Sequence, residues 1–290
     1  MSDNPLKNTF SRNIRNFLFG SLGSTVVVFT FGKTLFKVSV LQSAFLGIVF
    51  LISLFSIRFL YYLCKDLVRY IHNVYVDSIW GDAIIDLKDA YSIMHYLRKL
   101  DEISDEDFMK ALVTFCETLK KIFDRKTKGN CCVSIKVPTR VFNSLQTWEL
   151  CNLCRDKIHS SRDTKDYEAI NHTVIGNTPY IIIINKLLDT KQKSKPYYIN
   201  NDIENTKDYM NTSKDVYKDG LPYKSEIVYA IVPVKSDGDH RYDLAGFLCI
   251  DCDRKDAFDE KRYDIPMVEG IVDGIYDIIL KRNKQKLKNQ

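Results

Sequence analysis

Only five histidines stand among the 290 residues, and none belongs to an H-x-E or H-E-x-x-H arrangement. Hydrolytic metal chemistry is left without its usual ligand pattern. The chain also lacks a Gly-rich phosphate loop, the kinase signatures and a G-x-S-x-G elbow. These absences count against phosphoryl transfer and serine-hydrolase chemistry, so the chain is expected to be no enzyme and to carry no cofactor. No arginine-rich stripe interleaves with aromatics, and the net charge of +5 is modest. A nucleic acid polymer is therefore not an expected partner. The lysines gather instead in the tail "KRNKQKLKNQ", which reads as a solvated end. No internal repeat, low-complexity linker, or kinase or cyclase output module is visible.

Cysteine, by contrast, is not scarce. Two of the eight, Cys249 and Cys252 in "AGFLCIDC", have the spacing of a metal knuckle, as do Cys151 and Cys154 in "CNLC". A four-thiolate zinc site needs both pairs in turns that converge on one ion. Residues three apart in a strand point to opposite faces, which disqualifies Cys249 and Cys252. Cys151 and Cys154, in a stretch read as helix or ordered loop, share a face, but two sulfurs do not make a site. No metal is expected. A redox pair at Cys151 and Cys154 lacks the strand-to-helix context of thioredoxin-like motifs. Eight cysteines, including adjacent Cys131 and Cys132, suit a reducing compartment better than a disulfide framework.

The N-terminal third is where charge is missing. From Val38 to Ile57 the chain has no charged residue at all. As a helix this run spans about 30 Å, the thickness of a bilayer's hydrocarbon core. It begins too far in for a cleaved signal peptide, with no small-residue cleavage site after it. A second apolar segment, Asn16 to Phe36, crosses as well if Lys33 snorkels to the interface. The expected layout is a short segment at 1–15, a transmembrane hairpin at 16–63 (spans near 16–36 and 38–60), and a helical connector at 64–103. A mixed domain at 104–282 and a basic tail at 283–290 follow. Lys7, Arg12 and Arg15 before the hairpin, with Arg58, Lys65 and Arg69 after it, outweigh Lys33 and Lys37 in its loop. Both termini are thus expected on the cytoplasmic side of the inner (plasma) membrane, in a multi-pass arrangement. Ser39, Ser43 and Gly47 form a strip of small residues, which suits close helix packing in lipid, against the first span or between copies in a homo-oligomer.

Beyond the spans, Trp80, Ile84, Leu87, Tyr91 and Met94 recur at steps of four and three. Two heptads are short for a coiled coil, and packing against the chain's own domain is the expected use. "SDED" from Ser104 reads as a capping box with Asp in place of Glu. Phe108, Leu112, Phe115, Leu119 and Ile122 make the apolar stripe of the helix it opens. Then the period changes. "CCVSIKV", "PYIIIINKL", "KPYYINNDI", "SEIVYAIVPVK" and "YDLAGFLCIDC" all read as strands, the last two joined by "SDGDHR". A final helix carries Ile265, Val268, Val272, Ile275 and Ile279 on one face. The fold class is α+β.

The late strand pair and closing helix resemble a GAF domain. In that family the second strand carries Gly and apolar residues, then an acid or Ser before a Phe-acid-acid stretch. Here these are Gly246, Phe247, Leu248, Asp251, Phe258, Asp259 and Glu260. The resemblance covers roughly residues 105–282, with a PAS-like or other small α+β domain as the alternative. It implies an antiparallel sheet flanked by helices, with a small-molecule cleft between sheet and crossing segments. Members that bind cyclic nucleotides often carry N-K…F-x-x-x-D-E. This chain has Asn185 and Lys186, but Asp259 and Glu260 follow Phe258 directly, so ligand identity does not carry over.

The polar segments of this region offer a candidate cleft. Arg155 and Arg162 suit phosphate or carboxylate; Asn200, Asn201 and Asp202 suit a base or sugar edge. Tyr180, Tyr209 and Tyr223 suit stacking, with Lys224 and Ser225 beside them. Asx turns and structural salt bridges are the bland account of the same residues. The functional expectation is a membrane-anchored, signalling GAF-like sensor for a small polar or nucleotide-like ligand. It would control the membrane hairpin, in the stronger version as a membrane-perturbing effector. The alternative is a tethered protein-interaction module with a vestigial cleft, and a redox sensor using Cys151, Cys154 or Cys249 is a third.

Overall fold

A computed structural model describes residues 30, 39–140, 148–163, 172–189, 195–215, 217, 220–233 and 244–288. The first apolar segment, Asn16 to Phe36, lies outside the described residues, as do Lys33, Lys37, the "SDGDHR" turn and the side chain of Ser43. The chain divides into two compact units, residues 1–78 and 79–290.

Helix α1, Val40–Lys99, contains the charge-free run, and among the described residues it is the one helix long and apolar enough to cross a membrane. Ser39 and Gly47 lie at its start, and among the described residues nothing beyond the helix's own neighbouring turns comes within 4 Å of where a Gly47 side chain would stand.

The second unit is α+β. Helix α2, Asp105–Thr127, starts where the Asp107 amide donates to Ser104 Oγ at 3.0 Å, while the Ser104 hydroxyl donates to the Asp107 carboxylate at 2.7 Å. The shorter Asp side chain thus meets the capping hydroxyl. Three acids in the first turn and Arg125 and Lys126 in the last suit the helix dipole. Strands β1 (Cys131–Arg140), β2 (Glu149–Arg155), β3 (His172–Thr173), β4 (Tyr197–Asn200), β5 (Ser225–Ile231) and β6 (Gly246–Cys252) form one antiparallel sheet in the order β3-β2-β1-β6-β5-β4. Helix α3, Thr178–Leu188, and helix α4, Asp264–Lys288, complete it.

Two stretches differ from the sequence reading. "PYIIIINKL" is helix α3, not a strand. Pro179 sits in its first turn, where a missing amide costs nothing, and Tyr180, Ile183 and Ile184 pack on Val228, Ala230, Phe247 and Cys249. Burial of one helical face outweighs the β preference of four isoleucines, because that preference is mostly packing to begin with. "ELCNLCR" is strand β2, not helix or loop. Its alternation is hidden by a bulge: Cys154 registers against Ile135 but Asn152 against Lys136, leaving Leu153 extra. Cys151 and Cys154 still share a face, opposite Val137 and Ile135, but through the bulge and not a helix.

The first face of the sheet carries the main core. Stripes from α2 and α4 pack there with Ala90, Met94 and Leu97 of α1 against Val133, Ile135, Ile227, Tyr229, Leu248 and Ile250. All five residues expected on the α2 stripe are buried, as are the five on α4. From Ile79 to Leu97 the buried apolar residues of α1 are Ile79, Trp80, Ala83, Ala90, Met94 and Leu97, whereas Ile84 is 70 % exposed. The expected two-heptad seam is therefore replaced at Ile84 by a stripe one position away, set by contact with α2 and α4. Lys121 and Arg125 fasten α2 to Asp86 of α1, and Arg98 pairs with Asp277 of α4.

Gly246 opens β6 at φ 156, and a side chain there would stand 2.2 Å from the Lys136 carbonyl oxygen. Only glycine lets the two central strands approach so closely. Along β6 the alternation is as expected: Leu248, Ile250 and Cys252 join the main core, and Phe247 and Cys249 face α3.

Candidate functional site

Among the described residues the second face of the sheet is only partly covered. Helix α3, the segments at 157–163 and 172–177, and Asn211, Ser213, Tyr217 and Tyr223 leave a cavity of about 420 Å³ over β1, β2, β5 and β6. That is the size of a small-ligand pocket.

Sheet register lays out its floor. In one row Glu226, Asp251 and Cys132 stand side by side on β5, β6 and β1. In the next come Val228, Cys249, Ser134 and Arg155, and in the third Ala230, Phe247, Lys136 and Asn152. The floor thus runs from an acidic corner to a basic side. Arg162, from the 3₁₀ turn Lys157–Asp163, reaches over it: its Nε donates to the Tyr217 hydroxyl at 3.1 Å. Its guanidinium lies 5.8 Å from the Tyr217 ring and 6.0 Å from that of Tyr223, with Asp251 at 3.9 Å.

Burial shapes the titration of these groups. It pushes the Glu226 carboxyl up to about 8, helped by the Asp251 charge and opposed by the Tyr209 hydroxyl, which donates to Glu226 at 2.7 Å. Burial raises Asp251 too, against the pull of Arg162, Arg155 and Lys136. His172 is held down to about 3 by burial and by the same lysine and Arg155, with its Nδ1 2.8 Å from Thr212 Oγ1. Near neutrality Glu226 is largely protonated and His172 uncharged, so Lys136, Arg155 and Arg162 dominate the field and favour an anion. Asn152 Oδ1 is buried without a hydrogen-bond partner among the described residues.

Four of the sequence candidates line this cavity: Arg155, Arg162, Tyr180 and Tyr223. Tyr209 lies just behind, holding Glu226. The others are set in the adjoining loop. Asn200 bonds Thr206 and the Asp202 amide, and Asn201 clamps Phe258, its Nδ2 donating to the Phe258 carbonyl and its Oδ1 accepting from the Phe258 amide. Asp202 pairs with Lys255, and Lys224 with Glu204. The Ser225 hydroxyl donates to the Arg254 carbonyl. Lys136, Asn152, His172, Asn177, Glu226 and Asp251 line the cavity as well, beyond the residues expected from sequence. A lone acid in each of two otherwise apolar strands, "SEIVYAI" and "GFLCIDC", was the available signal. Lys186 lies over the Tyr197 ring and donates to the Tyr197 carbonyl, not into the cavity.

Cys132, Asp156 and His159 bring ligand atoms within 4.8 Å of one another. These atoms are already engaged. Arg155 Nη1 donates to Cys132 Sγ at 3.0 Å, and Asp156 accepts from the Val133 amide and stands 2.8 Å from His159 Nδ1. Burial pushes the Cys132 thiol up to about 11. The cluster is a hydrogen-bonded corner that holds the 3₁₀ turn and Arg155 against β1. Cys249, 3.6 Å from the Tyr180 hydroxyl, is likewise pushed by burial up to about 12 and stays a thiol.

The sequence matches no protein-family model and no curated protein. Among solved structures it is similar to a GAF domain at 13 % identity, covering 66 % of this chain and 88 % of that one, TM-score 0.41. It is also similar to the GAF domain of a phosphoenolpyruvate-protein phosphotransferase from Coxiella burnetii (10 %, 71 % and 98 %, TM-score 0.43). The corresponding domain from Acinetobacter stands at 8 %, 71 % and 98 %, TM-score 0.39. Likeness at this level says nothing about ligand or activity.

Proposed function

We propose that the chain is a membrane-anchored sensor whose GAF-like domain binds a small polar ligand carrying an anionic group. The supporting observation is the cavity itself. Three cations, Lys136, Arg155 and Arg162, stand at its floor and roof, with Tyr180, Tyr217 and Tyr223 available to stack on a flat ring. Its volume suits a molecule of about mononucleotide size. The chain binds this ligand without transforming it: His172 is held neutral on Thr212, and Cys249 is held as a thiol, so neither is poised as base or nucleophile. The long apolar helix anchors the protein in the inner membrane, the ligand domain on the cytoplasmic side. Occupancy of the cleft is reported to the membrane segment, whose hairpins act as the output.

Native mass spectrometry of the full-length protein tests the ligand. A co-purifying anionic small molecule, lost on Arg155→Gln, is the expected result. A bare mass, with no thermal shift from nucleotides or other small phosphates and carboxylates, would leave only the tethered interaction module.

A further inference from the structure

Along α1, nine residues recur at alternating steps of four and three: Leu46, Phe50, Ser53, Ile57, Leu60, Cys64, Leu67, Ile71 and Val74. Four heptads of this spacing suit the seam of two supercoiled helices. Every one of the nine is exposed. The lower part lies beyond the charge-free run, where lipid does not account for it. There, past the expected span, Leu67, Ile71 and Val74 are 46, 58 and 50 % exposed.

The charges of the same stretch keep clear of this strip. Arg58, Lys65, Asp66 and Arg69 fall on the far side of the helix, and the positions flanking the seam are Tyr61, Leu63, Val68, Tyr70 and Tyr75. Two copies meeting here would oppose no like charges until Asp77. Nine apolar side chains between Ile57 and Tyr75, 44 to 67 % exposed, amount to roughly 900 Å² on each helix. Covering most of that on both partners clears the ~1,000 Å² at which specific interfaces begin.

We propose that this strip is the contact with a second copy of the chain, the two α1 helices pairing in parallel and in register through Ile57, Leu60, Cys64, Leu67, Ile71 and Val74. A strip that repeats itself every heptad is complementary to its own copy, as a two-fold interface requires. The parallel direction rests on the proposed anchor, since two chains inserted in one membrane point the same way. Cys64, the one exposed cysteine of the eight, then faces its counterpart.

The test is oxidation of the full-length protein in phosphatidylcholine–phosphatidylglycerol vesicles with diamide, which takes up the two electrons and two protons released as two thiols join. The expected product is a dimer linked Cys64 to Cys64, absent in Cys64→Ser and in Leu67→Glu. In the Cys64→Ser background, Leu60→Cys, Leu67→Cys and Ile71→Cys restore the link, whereas Tyr62→Cys, Arg69→Cys and Val76→Cys do not. This scan reads the same face should Leu67→Glu fail to insert. No dimer, equal linking at all positions, or a dimer mass without the Cys64 link each overturns the proposal. So does quenching of a fluorophore on Cys64 by brominated lipid, which would place the strip on the bilayer surface. Vesicle flotation reads the anchor separately: protein that does not float rejects the anchor, and the same oxidation in solution still reads the seam.

Discussion

Glu226 and Asp251 stand directly opposite each other on β5 and β6, and Glu226 is 2 % exposed. Two carboxylates in such a pair cannot both ionise cheaply, so Glu226 holds its proton to about pH 8, first because it is buried and then because of Asp251. In the unfolded chain the same group ionises near its ordinary value of 4.5. The folded state therefore binds more protons between those limits, and stability, full below about pH 4.5, falls as pH rises through 8. Thermal melts from pH 5 to pH 8 should show that decline, on the order of a few kcal/mol, and Glu226→Gln should flatten it. Equal slopes in the two proteins would show that Glu226 does not titrate as described.

The same corner bears on ligand selection. Arg162 lines the cavity, bonded to Tyr217 and near Asp251, while Lys224 points away to Glu204. Arg162→Ala should weaken retention of the co-purifying molecule roughly 10- to 100-fold, the usual worth of a hydrogen bond to a charged group. Lys224→Ala should leave it unchanged. Competitive binding against the native complex measures both, and equal losses would move the site to the outer loop.

Gly246→Ala places a methyl group against the Lys136 carbonyl at a φ that other residues rarely adopt. The central strands must part locally, and the cost should be about 2 kcal/mol or more in urea unfolding. A neutral result would mean that β1 and β6 do not approach as closely as described.

Helix α3 offers a plain test of its own assignment. Ile183 is fully buried among Val228 and Phe247, so Ile183→Ala should cost about 2–5 kcal/mol. Ile84→Ala, at a 70 % exposed position of α1, should change stability by less than about 0.5 kcal/mol. Denaturant midpoints decide between this stripe and the one read from sequence spacing, in which Ile84 packs.

Much of the scaffold is legible in the residues alone. Ser104 and the acids after it mark the start of α2, and the 3.6-residue stripes of α2 and α4 name their buried faces. The strand pair β5 and β6 is readable from its length, its apolar run and Gly246. The site is much less so. Arg155 and Tyr180 can be suspected from their neighbours, but Asn200 and Asn201 look alike in sequence and turn out to brace a loop. Lys136 looks like any exposed strand lysine, yet it is 8 % exposed on the cavity floor.

What the sequence by itself determined is whatever depends on near neighbours: helix caps, amphipathic periods and the charge-free run of α1. These follow from bond geometry within a few residues, and no distant contact is needed to read them. The tertiary structure decided the rest. It made four isoleucines a helix by giving one helical face a sheet to cover. It made "ELCNLCR" a strand by pairing it with β1 around a bulge. It set Glu226 against Asp251, twenty-five positions apart in the chain, because antiparallel register, not sequence proximity, chooses which side chains share a row.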